Sequence, residues 1–373
     1  MAWNEAPARQ GVPEEILRRW ERKGVSRRQF LQFCTGVAAT LALPASFIPK
    51  IAEGLETDRR LPVIWLSFQA CTGDGEALIR AYHPPIDNLL LDVISLEYMD
   101  LIMAAAGHQA EAALNQAVGK HAGRYVVLVD GEIPLADKGY CTIGGMSALE
   151  VARTLCSRAA ANVAVGTCAS YGGIQHAAPN PTGAAPLADA VPEAGNVVRL
   201  PGCPCNTENL TATLVHYVTF GRMPEVDLLG RPKFAYGMRI HDHCQRRGHF
   251  DAGQYAAEFG GREHRLGYCL YKLGCKGPET FHNCPSFEYN EETSWPVEAG
   301  HGCIGCSEPV FWDTMTPFYL RLPNVPGFGI ETTADKVGIG LAAATAAAFA
   351  AHGVASAFRK KDRMEAEKVK KED

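Results

Sequence analysis

Residues 61–358 are short of positive charge: they hold 19 Lys and Arg against 29 Asp and Glu, a net of −10. That deficit excludes a phosphate-backbone binder, which needs a basic face, so no nucleic-acid partner is expected. No internal repeat or low-complexity stretch is present, which excludes a repeat array. With 373 residues the chain can hold two or three domains and a buried core, so a disulfide-stapled miniprotein is also excluded. Cysteine, by contrast, is abundant: there are 13, most of them in clusters. These thiols are the feature to explain.

The positive charge missing from the body sits at the ends, with 10 basic residues in 1–60 and 7 in 359–373. Ser26-Arg27-Arg28-Gln29-Phe30-Leu31-Gln32 leads into an uncharged stretch from Gln29 to Pro49, whose apolar centre Val37–Leu43 is closed by Pro44. A basic region before a short, modestly apolar one reads as an export signal over 1–50, cleaved at about 45–52, and not as a membrane span. The arginine pair resembles a twin-arginine signal; an amphipathic helix with an incidental Arg pair is the competing reading. Val337 to Phe358 is a second uncharged run, of 22 residues, between Lys336 and Arg359-Lys360-Lys361. As a helix it would span about 33 Å, enough for a bilayer core of about 30 Å. It is rich in Ala and Gly, so a buried soluble helix competes. The basic cluster favours a transmembrane helix at 337–358, reached by a linker at 326–336, with 359–373 as a cytoplasmic tail. The body would then lie on the periplasmic face of the cytoplasmic membrane, in agreement with the signal. Small residues in the span allow a partner helix to approach closely, and His352 reads as an interfacial polar residue.

Between these ends, short β-rich runs alternate with helical stretches from Leu61 to about Phe220. Pro62–Phe68, Tyr125–Val129, Ala161–Gly166 and Asn196–Leu200 read as strands; Ala77–Tyr82, Ser147–Ala160 and Asn206–Phe220 read as helices. Such alternation predicts a doubly wound parallel α/β sheet. Cys71, Cys168 and Cys203 each follow a predicted strand, and ligands of open α/β sheets gather at the carboxyl ends of strands. From about Met223 to Val325 the sequence is irregular, punctuated by Gly and Pro and rich in Cys, His and aromatics. A segment with so little regular core needs inorganic centres to hold it together.

That segment contains His241-x-x-Cys244, Cys269-x5-Cys275, Cys284 and Cys303-x-x-Cys306. Zinc competes for Cys/His sets, but six cysteines and a histidine, beside a further set in the sheet domain, exceed one zinc site. Iron–sulfur clusters use Cys thiolates, with His an occasional replacement. Disulfides are the other reading for an exported chain. Twin-arginine export weakens it, because cofactors inserted in the reducing cytoplasm would already occupy the thiols.

Cys71-Thr-Gly, Gly166-Thr-Cys168-Ala-Ser-Tyr-Gly-Gly173, Pro201-Gly-Cys203-Pro, Leu273-Gly-Cys275-Lys-Gly-Pro278 and Trp295-Pro-Val-Glu-Ala-Gly-His-Gly-Cys303-Ile-Gly-Cys306 resemble the small subunits of nickel–iron uptake hydrogenases. The resemblance covers nearly the whole chain, both ends included. It implies a flavodoxin-like domain at 61–222 holding a proximal [4Fe-4S] cluster, followed by an irregular domain at 223–325 holding medial and distal clusters. Carried over residue by residue, it implies a proximal cluster on Cys71, Cys168, Cys203 and the position of Asp74. The distal [4Fe-4S] cluster would use His241, Cys244, Cys269 and Cys275. The medial cluster, of [3Fe-4S] type, would use Cys284, Cys303 and Cys306, with Pro296 near the place of a fourth ligand. The implied function is electron relay in H2 oxidation, from the NiFe centre of a large subunit to a membrane cytochrome b or other quinone-reducing subunit, in a dimer of heterodimers. A respiratory complex I-like subunit is disfavoured by the His241–Cys306 segment, and a hydrogen sensor by the two ends.

One position departs from the family pattern. Where C-x-x-C is usual, this chain reads Cys71-Thr72-Gly73-Asp74. Direct ligation by the Asp74 carboxylate is the first expectation, the extra thiol Cys205 the second, and an open iron with Asp74 only hydrogen-bonded nearby the third. Glu76 is expected as an auxiliary or proton-handling carboxylate. Oxygen-tolerant relatives with a six-cysteine proximal cluster carry extra cysteines at the positions of Gly73 and Gly173, so that cluster is not expected here. Cys34 would leave with the signal, and Cys141 and Cys156 read as structural.

Overall fold

A computed structural model describes residues 11–22, 25–55, 60–82, 84–309, 311–314, 318–320 and 334–372. The chain starts with helices α1 (Glu14–Arg22), α2 (Arg27–Thr40) and α3 (Ile48–Gly54). The alternating body follows: β1 (Leu61–Ser67), α4 (Gly73–Ile79), β2 (Ile94–Tyr98), α5 (His108–Lys120), β3 (Val126–Asp130), α6 (Ala148–Cys156), β4 (Ala161–Val165), α7 (Gly166–Tyr171), β5 (Val197–Leu200) and α8 (Thr207–Phe220). The five strands form one parallel sheet in the order β2-β1-β3-β4-β5. This is the flavodoxin-like order, whose switch point lies between β1 and β3.

Both faces of the sheet are covered, as a parallel sheet requires. Val63, Trp65, Val126, Leu128, Val163 and Leu200 face one core with Leu210 and Leu214 of α8. Ile64, Leu66, Val127, Val129 and Ala164 face the other, with Leu114 of α5 and Val151 and Leu155 of α6. Alternate residues of one strand thus serve opposite cores. Ser147 starts α6 with a capping box to Glu150, and the Asn206 side chain caps α8 by accepting from the Glu208 and Asn209 amides. Cys156 is buried in the second core, and Cys141 is half-buried against it.

The four strands and three helices read from sequence all form, with ends shifted by a few residues. The helix after β1 begins at Gly73, four residues before the expected Ala77, which puts Asp74 in its first turn. Several elements escaped the reading, among them β2 and α5 of the sheet domain. Strand β2 lies at the sheet edge and interleaves Ser95 and Glu97 with apolar residues, while α5 buries only Leu114 and Ala117.

The described residues of the expected export signal are folded onto the body: Phe30, Phe33, Val37, Ile48 and Ile51 join the first core, and Phe47 meets Phe220 of α8 at 6.1 Å. Arg27 is paired with Glu21 at 2.7 Å and also with Glu14, and Cys34 is buried. Residues 1–10 and 23–24 of that segment lie outside the described residues, as do 326–333 of the expected linker. The last helix, Ala334–Glu372, is continuous, so the expected basic tail extends the apolar helix instead of forming a separate element. Its stretch Gly338–Lys360, of mean hydropathy 1.5, is long and apolar enough to cross a membrane and is not covered by the other described residues.

Residues 223–309 contain only isolated bridges and short helices such as α9 (Ile240–His243). Their core is small: Ile240, Ala256, Leu270, Leu273, Trp295 and Val297, with Cys284 and Cys303 among them. The segment is fastened to the sheet domain by polar contacts. Asn209 and Asn283 exchange amide hydrogen bonds at 2.9 and 2.8 Å, and Asn206 donates to the carbonyls of Phe287 and Glu288. Tyr236 Oη donates to the Pro201 carbonyl at 2.7 Å. Asn283→Ala leaves the Asn209 amide buried without its partner, so thermal unfolding should show a loss of about 2 kcal/mol. Adding Asn209→Ala should cost less than the two single losses together; strict additivity would refute the coupling.

Candidate metal centres

The three proximal cysteines stand where the fold places them, after β1, β4 and β5. Cys71 precedes Thr72, which adopts a left-handed φ of 64° to turn the chain into α4. Cys168 lies on α7, which starts directly at the end of β4, and Cys203 follows Gly202 at the end of β5. A Cβ on Gly173 would come within 2.3 Å of Cys168 Sγ, so this position has no room for a side chain in the present backbone.

Asp74 is buried beside them. Its Oδ1 accepts the Cys205 amide at 2.6 Å, and its carboxyl group faces that of Asp130 at the end of β3. Burial pushes the Asp74 carboxyl up to about 6. Asp130 is raised further by burial and by the facing Asp74. Glu132 is fully buried, accepts the Gly173 amide, and is raised to about 6 by burial. Neither Asp130 nor Glu132 was singled out from the sequence. The available signal was acidic residues at the end of an otherwise apolar strand, Val-Val-Leu-Val-Asp130-Gly-Glu132, on the carboxyl edge of the sheet.

Cys205 is buried with its thiol donating to the Asn206 carbonyl at 3.4 Å, so its amide and not its sulfur addresses Asp74. Glu76, expected beside the proximal site, forms an exposed ion pair with Arg80 at 2.8 Å and lines, with Gly73 and Cys203, a cavity between the domains.

A cavity of about 370 Å³ lies between the two domains. Cys203 borders it on the sheet side, and Cys284, Cys303 and Cys306 border it on the other, with Pro296 in its wall. Pro296 offers no donor atom. Two of these sulfurs have a nitrogen close by: the Gly305 amide donates to Cys303 Sγ at 3.4 Å, and His282 Nδ1 is 2.9 Å from Cys284 Sγ.

The distal residues cluster around α9. His241 packs edge-on against Phe250 at 4.5 Å, and burial together with Arg247 lowers its pKa to about 4. A neutral imidazole is the form that ligates metal. The Arg246 amide donates to Cys244 Sγ at 3.4 Å, and Cys275 Sγ accepts the Cys303 amide at 3.3 Å.

These residues fit iron–sulfur clusters. The nine cysteines are free thiols. Burial raises Cys203 and Cys269 to about 12 and Cys306 to about 11, so each would need a bound cation to become a thiolate. Among the described residues, no three His, Cys, Asp or Glu side chains close on the single point a bare zinc ion requires; the medial sulfurs border a cavity instead.

The ligand sets are joined to one another. The Cys303 amide donates to Cys275 Sγ, joining the sets expected at the medial and distal centres. Thr167, beside Cys168, accepts the Gly202 amide at 2.9 Å and donates to the Cys306 carbonyl.

A doubly wound sheet with thiols at its strand ends, carrying an irregular thiol-rich domain, defines an electron-transfer iron–sulfur protein. Residues 236–319 match the C-terminal family of NiFe/NiFeSe hydrogenase small subunits, and 71–217 match the family of the 20 Kd NADH ubiquinone oxidoreductase subunit. The quinone-reactive Ni/Fe-hydrogenase small chain of Wolinella succinogenes is 50% identical over 345 residues, 90% of this chain and 97% of the relative. The uptake hydrogenase small subunit of Azotobacter vinelandii is 46% identical over 340 residues, 91% and 94% of the two chains. The crystal structure of a reduced, active Ni-Fe-Se hydrogenase from Desulfomicrobium baculatum aligns with a TM-score of 0.66 at 36% identity, covering 70% of this chain and all of that one. The chain belongs to the small subunits of nickel–iron hydrogenases: it is the electron-transfer half of an oxidoreductase whose active site lies in a large subunit.

Thr167→Val removes both hydrogen bonds of its hydroxyl and strands the Gly202 amide. We expect a loss of about 2 kcal/mol and iron release at lower temperature, with Thr167→Ser restoring both. Iron retention equal to wild type in Thr167→Val would refute the clamp.

Proposed function

We propose that this chain relays electrons from H2 oxidation through three iron–sulfur clusters to a membrane quinone-reducing partner such as a cytochrome b. The observations that carry the reading are the cavity bordered by Cys203 on one side and by Cys284, Cys303 and Cys306 on the other, and the Cys303 amide that donates to Cys275 Sγ at 3.3 Å. When bound, the clusters would supply one-electron redox centres whose potentials respond to ligand type, hydrogen bonds and burial. Cys71, Cys168, Cys203 and Asp74 would hold the proximal [4Fe-4S] cluster. Cys284, Cys303 and Cys306 would hold a medial [3Fe-4S] cluster beside the donorless Pro296. His241, Cys244, Cys269 and Cys275 would hold the distal [4Fe-4S] cluster. Cys71 and Cys203 are exposed in the isolated chain, as is Ile174 beside Gly173. A low-dielectric centre there calls for a covering partner, which the large subunit supplies.

Asp74 is preferred over Cys205 as the fourth proximal ligand because it stands three residues after Cys71 and because the Cys205 sulfur turns toward Asn206. A carboxylate is a harder ligand than a thiolate, so it can attach and detach as the oxidation state changes. With Oδ1 held by the Cys205 amide, the other oxygen would be the one that binds.

Ala334–Glu372 would anchor the chain, Ser26–Gln32 would act as the twin-arginine motif, and the cluster domains would lie on the periplasmic side in a dimer of heterodimers. The 20 Kd family match is confined to the sheet domain, so a complex I-like role is not favoured.

Iron and acid-labile sulfide analysis should give about eleven iron atoms per chain, the sum for two four-iron clusters and one three-iron cluster. One metal without sulfide would contradict the reading. Asp74→Cys should change the Mössbauer signature of one iron and the proximal potential, and unchanged spectra would rule out carboxylate ligation.

A further inference from the structure

His282 has no part in the ligand sets above, yet it is built into the medial site. It is buried, with 2% of its surface exposed, in the wall of the cavity that Cys284, Cys303 and Cys306 border. Its Nδ1 lies 2.9 Å from Cys284 Sγ, and its ring stands edge-on to Tyr236 at a centroid distance of 5.0 Å. Tyr236 is fixed by its bond to the Pro201 carbonyl and lies over the Arg231 guanidinium at 5.6 Å. Arg231 is itself held by Asp227 at 2.8 Å and Glu308 at 3.1 Å. The imidazole is therefore oriented by packing.

We propose that His282 is a positioning residue for the medial centre, donating Nδ1–H to Cys284 Sγ and so raising the reduction potential of the cluster bound there. The inference rests on the assignment of Cys284 as a medial ligand. A thiolate bound to iron has no proton, so the hydrogen in this contact must come from the ring. The opposite tautomer would set the Nδ1 lone pair against sulfur lone pairs at 2.9 Å. It would also bury a bare Nε2–H, since Nε2 has no hydrogen-bond partner among the described residues. Buried orphan donors are rarer than under-satisfied acceptors, so the Nδ1–H form is preferred on both counts. The separation also argues against His282 as a fourth ligand to a different iron, because two atoms this close cannot reach separate metal ions of one cluster. Cys303 Sγ receives the Gly305 amide at 3.4 Å and touches Thr280 Oγ1 at 3.6 Å, contacts that substitution of His282 leaves in place. A hydrogen bond to sulfur stabilises the more negative, reduced cluster, which fixes the sign of the effect.

The test uses the intact membrane-bound complex with 15N-labelled histidine. The oxidised three-iron centre is paramagnetic and the oxidised distal cluster is not, so His241 does not interfere. Pulsed electron paramagnetic resonance on the wild type should show a weak histidine nitrogen coupling and an exchangeable proton on the three-iron signal. His282→Leu should lose both and move the medial midpoint to more negative potential. His282→Asn, whose amide nitrogen can take the place of Nδ1, should recover part of the shift. A medial potential in His282→Leu equal to wild type would overturn the proposal. If that variant fails to assemble the centre, the labelled wild type still decides, because a three-iron signal with no histidine coupling overturns it as well. Cys284→Ser must alter the three-iron signal; an unaltered signal overturns the medial assignment, which separates that failure from failure of the bond.

Discussion

The structure depends on how the cysteines of its two domains are brought together. Cys203 at the end of β5 and Cys284, Cys303 and Cys306 of the irregular domain border one cavity. Within the irregular domain the Cys303 amide donates to Cys275 Sγ, so the backbone of one cysteine loop addresses the sulfur of another. Thr167 adds a cross-brace, tying Gly202 and the Cys306 carbonyl to the start of α7. The irregular domain has few apolar residues of its own and places two thiols in its small core. Clusters bound to those thiols would contribute to its folding as well as to its function.

The proximal site carries a different electrostatic problem. Where its family pattern has a fourth cysteine, this chain has Asp74, and the carboxylate is not alone. Asp130 faces it and Glu132 lies fully buried near Cys168, so three acids crowd one end of the sheet. Burial of that much negative charge is tolerable only with protons on some of the groups or with cationic iron beside them. Hydrogen bonds from the Cys205 and Gly173 amides offset part of the cost. The glycines of the site matter for the same crowding: a Cβ on Gly166 would come within 2.0 Å of Asp74 Oδ2.

Most of the architecture was legible because it rests on local pattern. Apolar runs such as Tyr125–Val129 announced strands, and capped stretches such as Asn206–Phe220 announced a helix. The strand-end cysteines then followed from the rule for open sheets. The edge strand Ile94–Tyr98 was missed because Ser95 and Glu97 interrupt its apolar run, and α5 because it buries so little. Site residues recruited by tertiary contact were illegible: nothing in Asp130-Gly-Glu132 reveals a facing Asp74, and nothing in His282-Asn-Cys284 reveals an imidazole against the sulfur. The N-terminal segment showed its arginine pair but not its packing onto α8.

The central claim is that the ligand sets form one relay leading away from a hydrogen-activating site in another subunit. Replacing Cys303, the proposed medial ligand whose amide donates to Cys275 Sγ, tests it most directly in the intact complex. With Cys303→Ala, H2-driven quinone reduction should collapse while H2/D2 exchange, which needs only the large subunit, persists. Quinone reduction that survives the substitution, in a complex that has lost its three-iron signal, would contradict the account.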